Sequence, residues 1–200
     1  MIARLEGVLA EKSPEAVVLD VHGVGYELRV PLSTFFELPD EGKTVRLRVH
    51  THVREDAFLL FGFGTELERT LFRLLIGASG VGPKLALAIL SGLPSDKLIA
   101  ALRQGNLAAL VGIPGVGKKT AERIVVELRD RVAGLEVTAA GAEPSRAPRD
   151  DAAASAESAL VNLGWPRGHA EQAVRRALES LPEAPPLEAL IKEALRAASG

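Results

Sequence analysis

Apolar and polar side chains alternate along Val45-Arg46-Leu47-Arg48-Val49-His50-Thr51-His52-Val53, the period-two signature of a strand with one buried face. Shorter apolar runs at Ile2–Ala10, Ala16–Asp20, Gly25–Val30 and Ala57–Phe63 complete a set of five predicted strands. Turn-forming residues separate them, His22-Gly23-Val24-Gly25 at one connection and Pro39-Asp40-Glu41-Gly42 at another. With one brief helical piece around 33–38, five short strands predict a small barrel of the oligonucleotide-binding (OB) type over residues 1–64.

From Thr65 the period lengthens. Leu71, Leu74 and Leu75 share one helical face, and helix-length apolar segments continue to Val132. Within this stretch a phrase occurs twice: Ser79-Gly80-Val81-Gly82-Pro83-Lys84-Leu85-Ala86, and thirty-five positions on Pro114-Gly115-Val116-Gly117-Lys118-Lys119-Thr120-Ala121. Each copy continues with an aliphatic pair in the same register, Ile89-Leu90 and Ile124-Val125. The pattern predicts two helix-hairpin-helix units over residues 65–135. In such a unit glycine allows a tight turn and close approach of a partner to the backbone. The amides exposed at the start of the following helix favour an anion. Lys84, Lys118 and Lys119 place cations beside that anion site, so the expected guest is a nucleic-acid phosphate, gripped without reading bases. Ser79, Gly80, Gly82, Gly115 and Gly117 are the candidate backbone contacts. Two copies are too few to stack into a helical solenoid.

Charge sharpens this picture. The net charge of −2 conceals a division: residues 65–135 hold ten Lys/Arg against six Asp/Glu, whereas 1–64 and 136–200 each hold seven against ten. A positive field confined to the hairpin segment suits a polyanion. Other chemistries fit less well. Gly112-Ile113-Pro114-Gly115-Val116-Gly117-Lys118 imitates a nucleotide-binding phosphate loop, but Lys119 stands where that loop needs Ser or Thr for magnesium, and no strand leads into it. The scattered Asp96, Glu122, Glu127 and Asp130 do not form the carboxylate cluster of a metal nuclease, so a DNA-repair glycosylase or nuclease is the weaker alternative. The chain has no cysteine, and its four histidines, His22, His50, His52 and His169, do not group as metal ligands. No cofactor or metal is expected. No apolar run approaches the ~20 residues that span a bilayer, and the N-terminus lacks a signal-peptide core. The expected location is cytoplasmic.

Residues 134–154 break the helical pattern with Gly134, Gly141, Pro144, Ser145, Pro148 and Asp150-Asp151 among alanines, which predicts a flexible linker, placed at 136–151. Three helical stretches follow at Ala152–Leu163, Arg167–Leu181 and Pro186–Ala198, with Trp165 expected to cap the core of a small bundle over 152–200. The predicted fold class is therefore α+β and multidomain: barrel, tandem hairpins, linker, three-helix bundle.

Five segments carry a closer likeness: Gly23-Val24-Gly25-Tyr26-Glu27, Val53-Arg54-Glu55-Asp56-Ala57, Glu68-Arg69-Thr70-Leu71-Phe72, Gly80 to Gly92, and Gly117 to Arg123. In these the chain resembles the RuvA family, bacterial subunits that bind four-way Holliday junctions and drive branch migration with a partner motor. The resemblance covers essentially the whole length and is weakest in the linker and last helices. It implies a homotetramer, one or two of which hold junction DNA in an open square-planar form. It implies that Glu55 and Asp56, which alone read as a solvated turn, form an acidic pin near the fourfold axis. Four copies would set eight carboxylates against the crossover phosphates, disfavouring straight duplex. Arg54, Lys84, Lys118, Lys119 and Arg123 become DNA-facing cations by position. The terminal bundle is implied to dock RuvB, the motor ATPase, with Leu190, Ile191 and Leu195 as candidates for its core or docking face, and the RuvC resolvase is a further candidate partner. A general duplex-binding scaffold stays open as the other reading.

Overall fold

A computed structural model describes residues 1–133, 135, 150–181 and 185–199. They fall into two compact units, Met1–Ala140 and Gly141–Gly200, each taken by itself below. The expected linker falls largely, at Gly134 and 136–149, outside the described residues.

The first unit opens with the expected five strands: β1 (Arg4–Lys12), β2 (Val17–Val21), β3 (Val24–Leu28), β4 (Thr44–Val53) and β5 (Phe58–Phe63). They pair antiparallel in the order β3-β2-β1-β4-β5. Val45, Leu47 and Val49 of β4 are buried together with Leu5, Leu9, Val17, Leu19 and Leu28, as the alternation requires. The turn at His22-Gly23 takes positive φ at both residues, 53° and 85°, the two-residue hairpin geometry that matches strand twist.

β1 lies further along the chain than its apolar pattern suggests. Ile2 is held instead by side-chain bonds, its N–H donating to Thr51 Oγ1 at 2.8 Å and its carbonyl accepting from the same hydroxyl at 2.9 Å. At the other end a register shift between Leu9 and Glu11 carries pairing on to Lys12 opposite Val17. Such a bulge bends and twists the strand. Gly7 permits the tight curl: a Cβ there would lie 2.2 Å from the Asp20 carbonyl oxygen. The sheet then curls into a half-barrel, closed by a parallel bridge from Arg29 to Phe61. Arg29 N–H donates to Leu60 O at 3.0 Å and Gly62 N–H to Arg29 O at 2.9 Å.

From Leu60 on, β5 reads Leu-Phe-Gly-Phe because both its faces are buried there. Leu60 enters the barrel core, while Phe61 and Phe63 point the other way into the core of the helical region. There Phe72 packs against both with tilted rings, the centroids 4.9 and 5.0 Å apart. Each such burial contributes about 1.5–3 kcal/mol.

Five helices build that region: α2 (Glu66–Ile76), α3 (Pro83–Gly92), α4 (Ser95–Gln104), α5 (Leu107–Val111) and α6 (Lys118–Val132). A shorter helix, α1 (Leu32–Glu37), belongs to the barrel segment. A buried polar knot joins it to α2. Glu68 accepts from Ser33 Oγ at 2.5 Å, Thr34 Oγ1 at 2.8 Å and Gly64 N–H at 3.1 Å. Its own N–H donates to the N-cap Thr65 Oγ1 at 3.1 Å. A carboxylate can be buried here because three donors replace its water.

The second unit packs α7 (Asp150–Asn162), α8 (Arg167–Ser180) and α9 (Leu187–Ser199) around an alanine-rich core of Ala156, Leu160, Ala170, Ala173, Val174, Ala177, Leu190 and Ala194. Small side chains let the helices approach closely. α7 begins at Asp150, two residues before the expected start, and ends with Trp165 N–H bonded to Leu160 O at 3.1 Å and Gly164 N–H to Val161 O at 3.0 Å. This paired return closes the helix and folds Trp165 against the core.

Candidate nucleic-acid interface

The two repeated phrases form two hairpins of the same construction. In the first, Gly77 caps the C-terminus of α2, Ala78 N–H bonds to Leu75 O at 3.0 Å, Val81 N–H to Ala78 O at 3.1 Å, and Ala86 N–H to Gly82 O at 3.0 Å. In the second, Gly112 caps the C-terminus of α5, and the equivalent bonds run Ile113 to Leu110 at 3.1 Å, Val116 to Ile113 at 3.0 Å and Ala121 to Gly117 at 2.9 Å. Val81 and Val116 are buried plugs that pin each turn to the core. Gly80 and Gly115 have φ of +80° and +88°, which a Cβ would strain.

The third glycine of each turn is different. Gly82 and Gly117 are N-caps with φ of −85° and −82°, values open to any residue, and a Cβ on either would meet nothing within 4 Å. The fold itself makes no demand for glycine there. The space kept clear lies over the first turns of α3 and α6, whose leading amides have no partner inside the helix. A phosphate fits that space and that polarity. Lys84, Lys118 and Lys119 are exposed around it. The grips are unequal, since Pro83 opens α3 without an N–H whereas Lys118 opens α6 with one. The segment entering the second turn is helix α5, not the strand that a nucleotide-binding phosphate loop requires.

The hairpins also touch each other. Arg123 of α6 reaches the first turn, donating from Nη1 to Ser79 O at 3.3 Å, and Glu127 accepts from Ser79 N–H at 3.1 Å. In return Leu85 of α3 lies 3.2 Å from a Cβ built on Gly115. Ser79, named from sequence as a backbone contact, thus has its amide engaged by Glu127, and Arg123 is exposed while bridging the two turns. Glu127 was not visible as a site residue in the sequence, because its partner lies forty-eight positions away.

Arg54, Glu55 and Asp56 sit at the exposed tip of the β4–β5 turn, closed by Arg54 N–H to Ala57 O at 2.8 Å. Arg54 Nε donates to His52 Nε2 at 3.0 Å. Val53 and Phe58, paired across the strands, flank the tip and are 67% and 59% exposed. Further down β4, His50 packs its ring 5.4 Å from that of Phe72. Burial holds the His50 imidazole below the ordinary histidine value of 6.5, with the charges of His52, Arg73 and Arg69 acting in the same direction.

In the second unit Leu190 is fully buried, which fits a core role, while Ile191 and Leu195 are half-buried against the same core. Leu163 and Leu178 are exposed apolar residues of that unit that sequence pattern did not single out. Among the described residues no single helix is long and apolar enough to cross a membrane.

A curled five-stranded half-barrel, fused to two like-built hairpins that share one helical core, defines an OB-type barrel with a tandem helix-hairpin-helix domain. Comparisons with known proteins agree in each part. Residues 1–62 match the RuvA N terminal domain, 72–130 the SAM-like helix-hairpin-helix tandem, and 151–199 the RuvA C-terminal domain. The chain is 54% identical to a protein of Syntrophotalea carbinolica and 50% identical to one of Geobacter metallireducens, in both cases over 98% of each chain. It is 48% identical to one of Cronobacter sakazakii over 99% of this chain and 100% of that one. All three carry the name Holliday junction branch migration complex subunit RuvA. The chain belongs to the RuvA family.

Proposed function

We propose that the chain is the non-catalytic DNA-binding subunit of a branch-migration complex, recognising four-way junctions and delivering the RuvB motor to them. The observation that carries this reading is the pair of hairpins whose N-cap glycines keep space and amides open although the fold needs no glycine there. Lys84, Lys118, Lys119 and Arg123 supply the neutralising charge. Residues 1–64 would form the core of a tetramer around the acidic turn, and residues 65–135 would hold the arms. Glu55 and Asp56 of four copies would push phosphates outward into an open square while the hairpins hold them, favouring a junction over straight duplex. ATP hydrolysis belongs to the partner in this reading, and the setting is the cytoplasm.

The bundle at 152–200, on a linker at 136–151, would dock the motor. Half-buried Ile191 and Leu195, with exposed Leu163 and Leu178, offer it apolar surface. The alternative is a general duplex scaffold. A gel shift with a four-way junction and a linear duplex of the same sequence decides between them: tighter junction binding is expected, and equal binding would favour the scaffold. A chain ending at Leu135 is expected to bind junctions with near-parental affinity yet fail to stimulate the motor ATPase on junction DNA. That cut preserves the latch in which Arg103 donates to the carbonyls of Val132, Ala133 and Leu135 at 3.1, 3.2 and 2.7 Å. Retained stimulation would place the docking site elsewhere.

A further inference from the structure

We infer that Glu127, an acid on a helix proposed to face DNA, is a positioning residue that strengthens phosphate binding by holding the first hairpin to the second. The inference rests on the phosphate-grip reading above and adds to it. α6 starts at the cap of the second hairpin and carries Arg123 and Glu127 one turn apart on the same face. These two side chains take both backbone polar groups of Ser79: Glu127 accepts its N–H at 3.1 Å and Arg123 donates to its carbonyl at 3.3 Å. The Arg123 guanidinium also lies 3.2 Å from where a Cβ on Gly80 would stand. One helix therefore supplies the second grip and fixes the turn of the first.

The second hairpin explains why only the first needs this clamp. Position 114, equivalent to Ser79, is proline, which has no N–H to satisfy. The equivalent of Glu127 on α3, thirty-five positions earlier, is Gly92, without a side chain. Two grips held at one spacing meet two phosphates without first being ordered, which favours binding.

The consequence runs against simple electrostatics. Deleting a carboxylate near a bound phosphate should, by charge alone, tighten binding by at most about twofold. Loss of the clamp should instead weaken it roughly three- to tenfold, the range for a charge-assisted hydrogen bond felt in part. The experiment measures full-length Glu127→Ala and Glu127→Gln by fluorescence anisotropy on junction and linear duplex at fixed salt, with amide exchange at Ser79. Expected are weaker binding and faster Ser79 exchange for Glu127→Ala, and near-parental values for Glu127→Gln, which keeps an acceptor oxygen. In a Ser79→Pro background the hairpin has no N–H to hold, so Glu127→Ala should lose its effect. Glu127→Ala binding as tightly as the parent, Glu127→Gln falling as far as Glu127→Ala, or unchanged Ser79 exchange overturns the inference. A Lys118→Ala, Lys119→Ala control separates the two readings. If it leaves affinity unchanged, the phosphate grip itself has failed; if it weakens binding while Glu127→Ala does not, only the clamp has.

Discussion

The hairpin turns and the β4–β5 turn are both exposed loops closed by backbone hydrogen bonds, yet they present opposite polarity. In the hairpins a buried valine anchors the loop from below, and what faces outward is unpaired amide and lysine. At the β4–β5 turn a single cross-strand bond, Arg54 N–H to Ala57 O at 2.8 Å, holds the tip, and what faces outward is Glu55 and Asp56. Under the proposed function, the contrast means that selectivity for a branched polyanion would draw on both signs in one compact unit. An attractive loop alone would bind any duplex, and a repulsive one none.

The largest effect should come from stripping the attractive side. Replacing Lys118, Lys119 and Arg123 together with alanine is expected to weaken binding to junction and duplex alike. If all three neutralise phosphates, each should take roughly 0.9 from the slope of log affinity against log salt. A slope that does not move would remove these residues from the interface.

Next in size is a contrast between two glycines of one hairpin. Gly117→Ala suits its φ of −82° and meets nothing within 4 Å, so stability should change by less than about 1 kcal/mol. Affinity should nevertheless fall on the order of tenfold as a methyl group displaces a charge-assisted contact. Gly115→Ala should do the reverse. At φ +88°, with Leu85 Cδ1 3.2 Å away, it should cost about 1–2 kcal/mol of stability. Thermal melts and anisotropy on both variants check this, and equal binding losses would mean that Gly117 does not border a ligand.

The repulsive side gives a smaller effect. Glu55→Gln with Asp56→Asn should raise duplex affinity relative to junction affinity by a few-fold, since the charges are exposed and screened. Undiminished discrimination in competition between the two DNAs would leave the turn a turn.

What the sequence made legible was local. Strict alternation marked β4, two in-register glycine phrases marked the hairpins, and a change of period marked where strands give way to helices. The missing features depend on residues far apart in the chain. That β5 buries Phe61 and Phe63 against Phe72 follows from which sheet face the helices cover, and an apolar run does not encode that. The Glu68 knot with Ser33 and Thr34 spans thirty-five and thirty-four positions, although Thr65-Glu-Leu-Glu68 does carry the local signature of a helix cap. The Ser79–Glu127 bond gives no such hint. Among candidate site residues, side chains beside the glycine phrases could be named from spacing, whereas the geometry joining one hairpin to the other required the folded chain.

The smallest expected effect concerns the seam that carries both turns. β4 leads into the acidic turn and α2 into the first hairpin, and His50 of β4 packs on Phe72 of α2. Burial lowers the His50 pKa in the folded state below the ordinary 6.5, helped by His52, Arg73 and Arg69. Well above 6.5 the imidazole is neutral in both states and adds no pH dependence. As pH falls through 6.5, the unfolded chain takes up a proton that the folded seam resists, so stability declines, and the decline ends once the pH is below the lowered folded value. Thermal melts between pH 8 and pH 5 should show this decline, and His50→Phe, which keeps the ring packed on Phe72, should lessen it. If the parent and His50→Phe lose stability in parallel, His50 is not the group responsible, and the acid sensitivity lies outside the seam between the two turns.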